Sequence, residues 1–175
     1  MPKSNLNTSR IFFSILSVKD VNKLVNKPEE SNPGMVIRRR DGGYIRKVIR
    51  ISQKYIVICD FLDFYAGYKG KNKFEFYNDL FNYSLKKISG DVSFEFKGSP
   101  ASIYGITRSF FLDKKTYDLL HVIYNKSQEL YKTLYGDYLS VGNFTELILY
   151  IYITDNIEKK ILDVFKFDFG IKKIT

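Results

Sequence analysis

ITRSFFLDKKTYDLLHVIYNKS, residues 106–127, is the stretch whose reading decides the fold. Over 106–112 it has the density of aromatic and branched side chains that suits a short strand. Asp113 then offers a side-chain oxygen to the free amides of a first helical turn, and the chemistry changes there. Beyond it Tyr117, Leu120, Tyr124, Ser127, Tyr131 and Leu134 recur at helical spacing, with Leu119, Ile123 and Leu130 alongside. Residues 137–142 are turn-rich, and Asn143 or Thr145 can cap a second helix with Glu146 in its first turn. LILYIYI, residues 147–153, is apolar on every side and so predicts burial on every side. A helix is favoured there because Ile157, Ile161, Leu162 and Phe165 continue a helical stripe, while a buried strand stays open. The tail, FKFDFGIKKIT, alternates as a last short strand.

Working outward, residues 1–10 are polar and read as a flexible tail, and residues 11–18 (IFFSILSV) as a strand. Residues 19–27 suit two helical turns, and PEESNPG, residues 28–34, is dense in helix breakers. Residues 35–40 run into Asp41-Gly42-Gly43, a hairpin signal. Residues 44–62 alternate for long enough to suggest two strands with a bend at 52–54, the second more buried. Phe76, Leu80, Phe81, Leu85 and Ile88 make one face of an amphipathic helix, DVSFEFK (91–97) alternates, and Gly98-Ser99-Pro100 breaks the chain. The implied class is α+β. Antiparallel N-terminal strands with a helix occupy residues 11–100, and a strand-helix-helix part occupies 101–175.

Composition narrows the function. The 175 residues are 45% hydrophobic and 17% aromatic, which argues against a disordered chain. Lys, Asn, Ile, Tyr and Phe, all with A/T-rich codons, abound and point to an AT-rich microbe, virus or plasmid. One cysteine leaves no intrachain disulfide. The apolar run at 147–153 falls far short of the roughly 20 residues of a membrane span, and a soluble intracellular protein is expected. Net charge is +9, and its placement is uneven. Arg38, Arg39, Arg40, Arg46, Lys47, Arg50 and Lys54 face only Asp41 within residues 38–54. Strand alternation puts Arg46, Arg50 and Lys54 on one face beside Tyr44. A basic β face with an aromatic suits contact with phosphates, or alternatively an acidic protein partner or plain solvation.

Signs of chemistry are sparse. His121, the one histidine, stands among Leu119, Leu120, Val122 and Ile123 as a packed or rim residue. Cys59 reads as a small core residue. No grouping has metal-ligand spacing and no cofactor is implied. Glu95 and Lys97 on one strand face, with Asp60, Asp63 or Asp79 upstream, form the bare skeleton of a PD-(D/E)xK nuclease site, in which carboxylates hold Mg²⁺.

The C-terminal stretch resembles a ribbon-helix-helix module of the MetJ/Arc type. The resemblance rests on the strand ending at Leu112-Asp113, on Tyr117 and Leu120, and on GNFTELI (142–148) opening the second helix. It implies that two chains pair their strands into a ribbon entering the major groove of duplex DNA. Thr107, Ser109 and Phe111 would face the DNA, with Arg108 available for the groove. Residues 147–153 would form a homodimer core, and backbone amides from Asn143 to Thr145 would hold a phosphate. The expectation is a basic, non-enzymatic DNA-binding protein, possible in transcription regulation; the alternative is an interaction protein that inhibits a host machine.

Overall fold

A computed structural model describes residues 9–12, 36–37, 43–89, 93–96, 105–167, 169 and 171–174. The elements are β1 (Ser9–Phe12), β2 (Val36–Ile37), β3 (Tyr44–Ile51), α1 (Gln53–Tyr68), α2 (Lys73–Ile88), β4 (Ser93–Phe96), β5 (Ile106–Asp113), α3 (Lys114–Tyr135), α4 (Val141–Asn156), α5 (Lys159–Phe165) and β6 (Ile171–Ile174). The class is α+β, with an N-terminal hairpin of β2 and β3 and a strand-helix-helix unit of β5, α3 and α4. Two antiparallel sheets form, in the orders β2-β3-β5 and β1-β4-β6. The sequence readings for residues 1–8, 13–35, 38–42 and 97–104 lie outside the described residues.

β3 and β5 pair along their full lengths, from Tyr44↔Asp113 to Ile51↔Ile106. Because successive side chains alternate across a strand, this pairing sorts both segments by polarity. Ile49, Ile51, Phe110 and Leu112 point inward and are buried. Arg46, Val48, Arg50, Thr107 and Phe111 point to solvent. The inward face receives α2, which also packs on α3 and α4. Phe76, Tyr77, Leu80, Phe81, Leu85 and Ile88 form the buried stripe of α2, and Phe81 and Tyr77 meet the Phe110 ring at 5.4 and 5.3 Å.

Caps explain where the helices start. Asn72 accepts from Glu75 N (2.9 Å) ahead of α2, and Asp113 from Thr116 N (2.7 Å) ahead of α3. α3 stops at Gly136, whose φ of 66° suits a residue without Cβ. The cap of α4 is Ser140, whose Oγ accepts from Asn143 N at 3.0 Å, and not Asn143 or Thr145. The second helix therefore begins earlier than expected.

Residues 53–68 correct the sequence reading outright: they form a helix and not a second strand. Tyr55, Ile58, Cys59, Leu62, Tyr65 and Ala66 are buried at helical spacing, while Val57 is exposed. The alternation of 55, 57, 59 and 61 coincides with that stripe at only some positions, and Ser52 stands at the N-cap. Residues 147–153 are helical and fully used inside the chain. Leu147, Ile148, Leu149, Ile151 and Ile153 are buried within one subunit, against α2 and β3, so the homodimer seam expected there is not available.

Glu146 ties α4 to the junction of β3 and α1. Its carboxylate accepts from Ser52 N at 2.6 Å, at the positive end of α1. Burial raises this carboxyl above the usual carboxylate range, more than the Ser52 donors and Lys54 pull it down. A carboxyl raised on folding favours the fold when protonated and penalises it as pH climbs through the folded value. Glu146→Gln keeps an acceptor for Ser52 N. The variant should match the parent near pH 4.5, the ordinary glutamate value, and gain on it progressively toward about pH 7. Urea unfolding of both proteins across that range measures the divergence; parallel curves would contradict it.

Candidate nucleic-acid interface

On the outward face of β3 and β5 the residues meet in cross-strand rows: Tyr44 with Asp113, Arg46 with Phe111, Val48 with Ser109, Arg50 with Thr107. Ser109 Oγ accepts from Arg46 Nε at 3.1 Å and from Nη2 at 3.0 Å, which ties the guanidinium across to β5. Neither Arg46 nor Arg50 meets a carboxylate among the described residues. The face's own acid, Asp113, is turned to the start of α3. Phe111 is 39% exposed and Val48 51%. Tyr44 stands edge-on to Phe111, with centroids 5.2 Å apart, and 6.2 Å from Phe74 in the first turn of α2. Two cations, a cluster of rings at the Arg46 end and the aliphatic Val48 thus share one solvent-facing surface.

Of the expected phosphate-binding set, Arg46 and Arg50 come together there. Arg38, Arg39 and Arg40 lie outside the described residues. Lys54 belongs to the first turn of α1, because the strand ends at Ile51. Lys47 points to the opposite face by alternation. Its ammonium lies 3.3 Å from His121 Nε2 and 5.7 Å from the Tyr117 ring centroid. Burial lowers the pKa of Lys47, and burial with the nearby ammonium lowers that of His121. His121 is therefore a half-buried neighbour of Lys47 on α3.

The resemblance-derived positions divide in the same way. Thr107, Ser109 and Phe111 do face solvent with the arginines. Arg108 does not: it turns inward, where Nη2 meets Asp63 at 2.6 Å and Nη1 meets Asp60 at 3.2 Å. Tyr77 Oη also donates to Asp63 (2.8 Å), and Lys73 pairs with the same carboxylate at 2.6 Å. Burial would raise the Asp63 carboxyl, but these donors outweigh it and hold it below the usual carboxylate range. Thr145 is buried and donates to Val141 O, while the Asn143 amide is engaged by Ser140, so neither builds a phosphate site.

The outer edge of β5 is also partly closed to a second chain, at the end formed by residues 111–113. One edge is taken by β3. At the other, Asn78 of α2 donates to Phe111 O (3.2 Å) and accepts from Asp113 N (2.8 Å). Asn78, Phe74 and Val48 are site residues that sequence reasoning missed. A polar residue inside the apolar stripe of α2 was the available signal for Asn78.

The described residues of the nuclease-like skeleton are not brought together. Asp60 and Asp63 are bound to Arg108 and Asp79 to Lys71; Glu95 lies in the other sheet, opposite Arg10 and Lys172, and Lys97 is outside the described residues. No three His, Cys, Asp or Glu cluster as metal ligands among the described residues. The Cys59 thiol is buried, which pushes its pKa up to about 12.

Arg108→Gln should act on folding and not on binding. It leaves the Asp63 carboxylate short of a partner and should cost about 1–3 kcal/mol in urea unfolding, with polyanion affinity of the folded variant unchanged. A loss of affinity without a loss of stability would return Arg108 to the binding surface. No family model, curated protein or solved structure matches the chain, and the interface is read from its own geometry.

Proposed function

We propose that this chain is a non-enzymatic nucleic-acid-binding protein that engages phosphates through the outward face of β3 and β5. One observation carries this: Arg46 and Arg50 share an exposed face with no carboxylate to neutralise them among the described residues, while Arg108, on the other face of the same sheet, is bound to Asp60 and Asp63. A guanidinium left exposed beside rings suits phosphate and base contact better than an ammonium does. The overall charge of +9 would draw a polyanion toward the chain. In the sequence, Arg38, Arg39 and Arg40 directly follow Val36 and Ile37 and add three further cations. Duplex DNA is one form such a face can hold, and regulation of transcription one consequence.

A second role, docking on an acidic or apolar protein surface, is favoured by a different observation. Val57, Phe64 and Tyr68 stand exposed along α1, the last two at 72% and 73%. α1 packs on the inward side of the sheet, so this stripe is separate from the arginines. Among the described residues no helix is long and apolar enough to cross a membrane.

Fluorescence anisotropy with a random duplex of about 30 base pairs, across a salt series, tests the first role. The parent should show a log–log slope of about −4 or steeper. Arg46→Ser with Arg50→Ser should flatten it by about 0.9 for each phosphate contact removed, and an Arg38/Arg39/Arg40→Ala variant should flatten it further. Negligible binding at low salt, or a slope indifferent to both variants, would contradict the proposal.

A further inference from the structure

We propose that the β3–β5 face is built for single-stranded nucleic acid in preference to duplex, with a base stacked on Phe111 and phosphates of the same strand on Arg46 and Arg50. This rests on the nucleic-acid role proposed above and specifies its substrate class.

Three observations lead there. The first is what the face offers beside its cations. Tyr44, Val48, Phe74 and Phe111 supply rings and an aliphatic surface, whereas reading a duplex needs donors and acceptors aimed at base edges. In a duplex the flat faces of the bases are hidden against one another. An unpaired strand exposes them, and any base can stack on an aromatic ring.

The second is order along the sheet. Arg46 lies directly across from Phe111, and Arg50 follows on the same strand and the same side. Four residues of strand separate the two arginines by roughly 13 Å. Phe111 thus stands beside Arg46 at one end of the row, and Val48 with Ser109 lies between that pair and Arg50, so a strand with one base on the ring can run on over the aliphatic patch to the second cation. Ser109 holds the Arg46 guanidinium through Nε and Nη2, which leaves Nη1 and the flat face of the group for the ligand.

The third is width. A major groove about 12 Å wide admits a two-stranded ribbon or one helix. Here Asn78 binds α2 to the far edge of β5, and Phe74 carries that helix up to Tyr44. A ribbon flanked by a helix is a platform for a strand laid across it, and not a wedge for a groove.

The sequence contains no tryptophan, so Phe111→Trp introduces a single indole at the stacking position. Its fluorescence reports stacking separately from charge. Full-length protein carrying this change is titrated with oligothymidine of about 15 nucleotides and with a mixed-sequence duplex of equal length. Phe111→Leu, which keeps an apolar side chain against Tyr44, is measured alongside. The expected result is strong indole quenching by the single strand, affinity about tenfold tighter for it than for the duplex, and a loss of about tenfold in the leucine variant on the single strand alone. Duplex binding equal to or tighter than single-strand binding, without quenching, would overturn this inference and leave the broader nucleic-acid role standing. Failure of both ligands to bind the parent would overturn the two together.

Discussion

The pairing of β3 with β5 is the constraint from which the rest follows. It joins residues far apart in sequence and, by alternation, sends Ile49, Ile51, Phe110 and Leu112 to the core and Arg46, Arg50, Thr107 and Phe111 to solvent. A slip of one residue in either strand would flip that strand's entire set of side chains. A slip of β3 would turn its two guanidiniums toward α4 and the core and leave large apolar groups in water. The burial that stabilises the fold and the exposure that makes the face basic are thus one choice of register. Asn78 and the Arg46–Ser109 hydrogen bonds sit on that pairing and are consistent with only one alignment.

Behind the sheet, polar groups are used to fix elements. Arg108 bridges β5 to α1 through Asp60 and Asp63, and Tyr77 and Lys73 bring α2 to the same carboxylate. Ser84 donates to Ile148 O between α2 and α4, and Glu146 holds the start of α1. A half-buried charge with several donors costs a great deal to strand and little to keep, so these groups lock the arrangement more than they add to its stability. They also divide the chain's cations. Arg108 and Lys73 serve the fold, Lys47 is drawn in toward His121 and Tyr117, and Arg46 and Arg50 remain outside.

Much of the architecture was legible because its signals are local. Asp113 before an apolar stripe predicted where α3 starts, and the alternation of residues 44–51 predicted β3. The all-round apolar character of residues 147–153 predicted burial, although not which surface would do the burying. α1 was misread because Tyr55, Cys59 and Phe61 satisfy a strand period and a helix period alike; Ser52, a cap residue just before that run, was the clue that separates them. The site was harder. Alternation placed Arg46 and Arg50 correctly, but extending it past Ile51 carried Lys54 onto a face that no longer exists. The engagement of Arg108 depends on Asp60 and Asp63, which lie in a different element and are brought beside it only by the fold. No local pattern announces such a contact, nor the seating of Asn78 at the edge of β5.

On the function proposed above, the outward face of β3 and β5 is the surface that touches nucleic acid. Amide chemical-shift mapping of the labelled protein, titrated with a short oligonucleotide, tests it most directly. The largest changes should fall on Arg46, Val48, Arg50, Thr107, Ser109 and Phe111, with smaller ones at Tyr44 and Phe74. Changes centred instead on Val57, Phe64 and Tyr68 of α1, or spread evenly over the surface lysines, would contradict the account.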